Sequence, residues 1–158
     1  MSVLRLAVAQ AHTLSNTPST LTALEEITKN AAMQNVDLIL FPEAYLGGYP
    51  RKAVYGIAAG AREPDSREEY LRYYQDAVDL GDTPEGAGIA WVERLLEVPR
   101  HGDKRGDGTR ETLERIAKDT NIFLIVGLVE RTAGILYGAV VYVCPSDGII
   151  GKRRKVIL

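Results

Sequence analysis

Val36-Asp37-Leu38-Ile39-Leu40-Phe41 runs directly into Pro42-Glu43-Ala44-Tyr45-Leu46-Gly47-Gly48-Tyr49-Pro50. The first half is an almost continuous apolar run, broken only by Asp37 near its start. Such a run suits a strand covered on both faces, because a half-exposed strand alternates apolar and polar residues. The second half changes to Gly, Pro and Tyr, the texture of a loop. A glutamate in a loop at the carboxyl end of a buried strand stands where open α/β sheets commonly place their sites.

Upstream, Val3 to Ala9 is a short apolar segment and reads as another strand. Between the two lies a helix signal. Asn16 and Thr17 are cap candidates, and Pro18 is preset for a first turn. Leu21, Leu24, Ile27 and Ala31 then recur at helical spacing, with Glu25, Glu26 and Lys29 on the other side. Strand, helix and strand within about 40 residues form a βαβ unit, so the two strands are expected to be parallel neighbours.

Downstream, Arg67 to Asp79 has helical character, with Tyr70, Tyr73, Tyr74, Ala77 and Val78 as an apolar side. Gly81 to Gly108 is polar and rich in Gly, Pro and charge. It is read as surface loop with a short helix near Ile89 to Leu96. Thr109 is expected to cap a helix whose inner face is Leu113, Ile116 and Ala117. Ile122 to Val129 and Leu136 to Val143 read as strands. Ser146-Asp147-Gly148 is a hairpin turn leading to a last strand from Ile149, which ends in Lys152-Arg153-Arg154-Lys155. There is no internal repeat. The expected fold is a single α/β unit, parallel strands first and a hairpin last.

The chain has 158 residues, 46% hydrophobic and 25% charged, enough for one domain with its own core. A net charge of -2 gives no electrostatic reason to expect nucleic acid or an anionic membrane as partner. One cysteine, Cys144, excludes an internal disulfide framework and fits a reducing compartment. The start lacks the basic and apolar regions of a signal peptide, and no stretch approaches the roughly 18 apolar residues of a membrane helix. A soluble, cytoplasmic protein is expected.

Three residues could carry chemistry. Glu43, at the mouth of an apolar strand, is expected to be partly desolvated; that would raise its pKa and suit it to take a proton near neutral pH. By position alone a glutamate after a strand is more often a solvated surface residue. Lys155, brought against a carboxylate, could stabilise a developing anion. By charge pattern alone, four consecutive basic residues read as a solvated strand end. Cys144 follows the apolar run Val140 to Val143, with no histidine near it in sequence. It reads as a small buried hydrophobe rather than a nucleophile. His12 and His101 are isolated, nothing has metal-ligand spacing, and Gly47-Gly48 lacks the pattern of a dinucleotide loop.

Phe41-Pro42-Glu43-Ala44-Tyr45-Leu46-Gly47-Gly48-Tyr49-Pro50-Arg51 resembles the first catalytic motif of the nitrilase superfamily, and its Gly-Gly-Tyr-Pro ending is most similar to the nitrilase branch. Arg67 to Tyr74 with Ala77-Val78-Asp79, Gly127-Leu128-Val129-Glu130-Arg131 and Gly134-Ile135-Leu136-Tyr137 resemble segments that follow in that branch. Gly151-Lys152-Arg153-Arg154-Lys155-Val156 resembles the motif of the catalytic lysine. The resemblance keeps its order from about Val3 to Val156.

This resemblance implies a covalent hydrolysis. A Cys thiolate attacks a nitrile or amide carbon, and water resolves the thioimidate or acyl enzyme. It implies that Glu43 is the general base and acid and that Lys155 stabilises the tetrahedral intermediate. Pocket shaping by Tyr49 and by the Glu130 region is a weaker implication. The implied fold is an α-β-β-α sandwich, of which residues 3–158 would be the N-terminal half of a carbon–nitrogen hydrolase domain. Members form homodimers or larger spiral assemblies and need neither metal nor organic cofactor.

In the family the lysine motif continues with Pro-Thr and a further Glu, and the nucleophilic Cys with its Trp-Glu neighbours lies beyond. Here Val156 is followed by Ile157-Leu158. Cys144 precedes Lys155 and cannot be that nucleophile without breaking the register of the other motifs. The expectation is therefore a truncated nitrilase-family chain, inactive alone on a small-molecule nitrile. The rival reading is a non-catalytic subunit that packs on a full-length relative. In either, an uncovered apolar sheet face favours association.

Overall fold

A computed structural model describes residues 3–49, 64–81, 88–93, 100–101 and 104–155. The elements in chain order are β1 (Leu6–Val8), α1 (Thr17–Met33), β2 (Leu38–Leu40), α2 (Pro64–Asp76), α3 (Gly88–Val92), β3 (Arg100–His101), β4 (Lys104–Arg105), α4 (Thr109–Thr120), β5 (Phe123–Thr132), β6 (Ile135–Cys144) and β7 (Gly148–Arg154). Five strands form one sheet in the order β1-β2-β5-β6-β7, and β3 and β4 form a small ribbon. β1, β2 and β5 are mutually parallel. β5, β6 and β7 form an antiparallel meander. The βαβ unit and the terminal hairpin are both as the sequence predicts.

The helices form where the sequence supplies ends for them. Asn16 Oδ1 accepts the Ser19 amide at 2.8 Å, which satisfies one of the orphan donors of the first turn of α1. α4 differs from expectation. Thr109 is its first helical residue, Gly108 holds the cap position at a φ of 90°, and Asp107 Oδ1 accepts the Thr109 amide at 2.8 Å. An aspartate two residues upstream therefore does the capping expected of Thr109. α2 ends at Asp76, short of the expected Asp79. Ala77 and Val78 are both buried: the Ala77 amide still donates to Tyr73 O at 3.1 Å, closing the last turn of the helix, and Val78 leaves it to bridge Glu130. Residues 94–96 of the expected short helix lie outside the described residues.

The core lies on one side of the sheet. The ladder row Ala7, Ile39, Leu124, Val143 and Ile149 faces Leu24 of α1 and Leu113, Ile116 and Ala117 of α4. Burying each such leucine or isoleucine contributes about 1.5–3 kcal/mol relative to leaving it in water. The next row, Val8, Leu40, Ile125, Tyr142 and Gly151, points to the opposite face, as the period of two requires. On that face Val8 is 74% exposed, and Leu6, Leu40 and Ile150 are exposed too. This corrects the expectation for Val36 to Phe41. Ile39 and Phe41 are buried, but Leu40 is not, because the helices cover only one face of β2. The apolar residues of both parities are present; the cover for one parity is not among the described residues.

Candidate active site

Five contacts fix the loop after β2. The Phe41 amide donates to Ile125 O at 2.8 Å, so the chain leaves the sheet only after Phe41. The Tyr45 amide turns back to Pro42 O, and Leu46 bridges Leu128 of β5. Thr13 Oγ1 donates to Tyr45 O at 2.9 Å. Phe41 and Tyr45 stack with ring centroids 5.3 Å apart and are both buried. Glu43 is thereby presented at the end of the parallel strands.

Lys155 arrives from the other end of the chain. Its amide donates to Gly138 O at 2.6 Å, continuing the β6–β7 ladder by one step. Its Nζ lies 3.0 Å from Glu43 Oε1, a contact between residues 112 apart in sequence. Tyr49 completes the group by donating its hydroxyl to the same Glu43 oxygen at 2.8 Å. Glu43, Gly127, Gly138, Val140, Arg153 and Lys155 border a shallow groove of about 240 Å³. Val140 of β6 shares the parity of Tyr142, so the groove opens on the uncovered side of the sheet.

The electrostatics depart from the sequence-based expectation. The Glu43 side chain is 55% exposed and that of Lys155 is 64% exposed. The Lys155 hydrogen bond, then that of Tyr49, hold the Glu43 carboxyl below its ordinary pKa rather than above it. The same contacts raise Lys155 and Tyr49. Desolvation, invoked to raise Glu43, is the smallest influence here. The pair rests as carboxylate and ammonium, with one phenol bound.

Glu130 is not at this groove. Its carboxylate is 1% exposed and is bound by Lys152 and Arg154 on the helix side of the sheet. The basic run at the end of β7 is thus not a solvated strand end. Its alternate members Lys152 and Arg154 turn inward, and Arg153 and Lys155 turn the other way. Period-two alternation was the signal for this, but a single buried acid to receive the bases is invisible in sequence. Cys144 also differs from its reading as a buried hydrophobe. It is half-buried at the β6–β7 turn, with Sγ 3.2 Å from both Ser146 Oγ and Asp147 Oδ2. It sits at the far end of β6 from Gly138, six residues or roughly 20 Å away at strand rise. His12 is exposed, and the side chain of His101 lies outside the described residues. Among the described residues no three His, Cys, Asp or Glu side chains gather as metal ligands. No helix among them is long and apolar enough to cross a membrane.

The carbon–nitrogen hydrolase family profile matches residues 5–158, and the chain belongs to that family. The arylacetonitrilase of Trametes versicolor is 33% identical over 99% of this chain and 42% of its own length. The aliphatic nitrilase of Sinorhizobium fredii is 32% identical over 99% of this chain and 43% of its own. The fold is that of the family as well: a carbon–nitrogen hydrolase of Helicobacter pylori superposes with a TM-score of 0.54 at 15% identity, covering 98% of this chain and 40% of that one. The chain therefore spans about two fifths of the length of the relatives it matches.

Proposed function

We propose that this chain supplies the glutamate and lysine of a nitrilase-type active site that converts a nitrile to a carboxylic acid and ammonia. The observation that carries this reading is the 3.0 Å contact between Glu43 and Lys155 at the ends of β2 and β7. Glu43 takes the proton of the attacking thiol and delivers it to the nitrile nitrogen. Water then adds to the thioimidate, ammonia leaves, and a second water releases the acid. Lys155 stabilises the anion that develops at the reacting carbon's substituent. As its ammonium turns to that anion, Glu43 loses the partner that lowers its pKa and becomes a stronger base. Tyr49, bound to the same carboxylate, borders the substrate. The thiol is not Cys144, which stands at the wrong end of β6. It comes from a segment packed on the open side of the sheet, which this chain of one cysteine does not contain. Relatives bearing both aryl and aliphatic names leave the nitrile's side chain open.

The test joins this chain to the remaining C-terminal part of the Trametes versicolor arylacetonitrilase, or co-expresses the two pieces. Ammonia release from phenylacetonitrile and from an aliphatic nitrile is then measured. Turnover is expected from the assembled protein, and Glu43→Gln and Lys155→Met each abolish it. The 158-residue chain alone is expected to release nothing above its Glu43→Gln control. Turnover that survives both substitutions would overturn the assignment. Glu43-dependent turnover by the chain alone would overturn the need for a second segment.

The exposed row Leu6, Val8, Leu40 and Ile150 favours one further reading, a non-catalytic subunit that docks on a full-length relative through this face. Co-expression with such a relative separates the two. No co-purification and no change in the relative's activity removes the subunit reading.

A further inference from the structure

We propose that Glu130 is a positioning residue for the Glu43–Lys155 pair: its buried carboxylate grips Lys152 and Arg154, and so fixes the end of β7 from which Lys155 reaches Glu43. The inference rests on the proposed function for the importance of that pair. The physical coupling it asserts is testable without turnover.

Lys155 needs such an anchor. Its side chain is largely exposed, and its amide makes one hydrogen bond to Gly138 O beyond the last ladder pair, Ala139 with Arg154. β7 is an outer strand of the sheet among the described residues. The end of an outer strand held by one backbone bond frays readily. A mobile backbone at Lys155 would leave its Nζ sweeping across several ångströms.

The anchor is on the opposite face. Arg154 Nε donates to Glu130 Oε2 at 2.7 Å and Arg154 Nη2 donates to Oε1 at 3.1 Å, a two-pronged pairing that fixes direction as well as distance. Lys152 donates to Oε1 as well. The Glu130 side chain is 1% exposed and that of Lys152 is 6% exposed. Glu130 is on β5 and the two bases are on β7, so these bonds cross over β6. Ala139 makes the crossing possible, because it offers only a methyl group between Leu128 of β5 and Arg154 of β7. Tyr137, the ladder partner of Glu130, lies under the Arg154 guanidinium at 4.5 Å. Glu130 is itself immobilised, since Val78 bridges it and the Arg131 amide donates to Val78 O at 2.8 Å.

Successive strand residues point to opposite faces. Tying Arg154 to the helix side therefore commits Lys155 to the open side, where Glu43 waits. A buried ion cluster adds little stability over a well-packed apolar one, and its use here is directional. Trp91 supports the cluster from below, with Lys152 Nζ 4.6 Å from its ring centre.

The experiment follows the Glu43 carboxyl by carbon NMR across an acid titration of the 158-residue chain, with Glu43→Gln used to assign the signal. Lys155→Met is expected to raise the Glu43 pKa toward its ordinary value. Glu130→Gln is expected to raise it too, while the far-UV circular dichroism stays that of the folded chain. In the Lys155→Met background Glu130→Gln is expected to add nothing, because its effect passes through Lys155. If Glu130→Gln fails to fold, the apolar triple variant Glu130→Leu, Lys152→Met, Arg154→Met replaces it and is expected to raise Glu43 in the same way. An unchanged Glu43 titration in the folded variant overturns the proposal. So does an equal shift with and without Lys155. A failed nitrile assay touches only the proposed function, because this titration needs no substrate.

Discussion

Gly127 lies directly beneath Glu43. A Cβ on Gly127 would fall 2.7 Å from Glu43 Cα, and closer still to the carbonyl oxygen of Pro42. The loop that carries the carboxylate crosses β5 at a position where no side chain fits, and both neighbours are backbone that cannot swing aside. Gly138, beneath Lys155, is different: a Cβ there would meet Lys155 Cβ at 3.7 Å, an ordinary contact. Gly127→Ala is expected to displace the Pro42–Glu43 turn and cost about 1–3 kcal/mol of stability, the usual range for overpacking. Gly138→Ala is expected to leave stability within about 0.5 kcal/mol. Urea denaturation of the two variants measures the difference. Equal effects would mean that the turn is not pressed against β5.

The pairing of Glu25 with Arg115 and Lys29 ties α1 to α4 and makes that junction acid-sensitive. Arg115 reaches both oxygens of Glu25, at 2.7 and 3.1 Å, and Lys29 adds a contact at 2.7 Å. The Arg115 hydrogen bond, then that of Lys29, hold the Glu25 carboxyl down to about 2. The folded value lies below the unfolded one. The contribution is therefore complete above the unfolded value, near pH 4.5, and disappears as pH falls through about 2. Because Arg115 is half exposed, a value of about 1 kcal/mol is appropriate. Glu25→Gln is expected to lower the urea midpoint at pH 7 and to lower it much less at pH 2. The same loss at both pH values would show that the junction depends on packing, not charge.

The parts of the fold legible in sequence were those with local rules. Asn16 and Pro18 mark the start of α1, and Ser146-Asp147-Gly148 marks the last hairpin; both work through their own backbone. Glu43 and Lys155 were legible as candidates only through the resemblance of their motifs, because a surface glutamate and a basic run carry no distinguishing pattern. What sequence did not give was set by contacts across the sheet. Val78 reads as helical in sequence, but Glu130 draws it into a bridge. The exposure of Leu40 depends on where the helices lie, which a six-residue apolar run does not encode. Glu43 was expected to be desolvated because its strand is apolar. Its protonation is instead governed by a lysine 112 residues away.

Arg110 is only 1% exposed, and its guanidinium closes the end of α3 onto α4. It donates to Trp91 O at 3.1 Å and to Val92 O at 2.7 Å, pairs with Glu114, and lies 4.7 Å from the Trp91 ring centre. Arg110→Ala takes the guanidinium from two carbonyls and opens a cavity, and leaves Glu114 with the Ile149 amide but without its Arg110 contact. A loss of about 3–5 kcal/mol is expected, as for a broken buried ion pair. Arg110→Lys keeps the charge but not the planar fork, and is expected to recover less than half of it. Thermal unfolding followed by tryptophan fluorescence reads both, since Trp91 is the chain's one tryptophan. A loss under about 1 kcal/mol for Arg110→Ala would show that the α3 carbonyls find other partners.

The open side of the sheet is a ready surface for a second copy of the chain. Val8 and Ile150 are exposed apolar residues on strands at opposite edges of this face, and Leu40 lies between them. Their side chains contribute nothing to the helix-side core, so polar replacements remove no packing that the described residues make. Each is nonetheless an apolar surface that water penalises, at about 25 cal/mol per Å² exposed. The chain alone is therefore expected to self-associate through this face. Val8→Thr combined with Ile150→Thr is expected to lower the association constant severalfold, with a change in unfolding free energy within about 0.5 kcal/mol. Sedimentation velocity across a concentration series measures the first and urea denaturation the second. The threonines keep the β-branched shape that strands favour, so a loss of stability could not be blamed on strand propensity. Association unchanged by both substitutions would place the contact between copies on the helices instead, and would remove the open face as the seat of assembly.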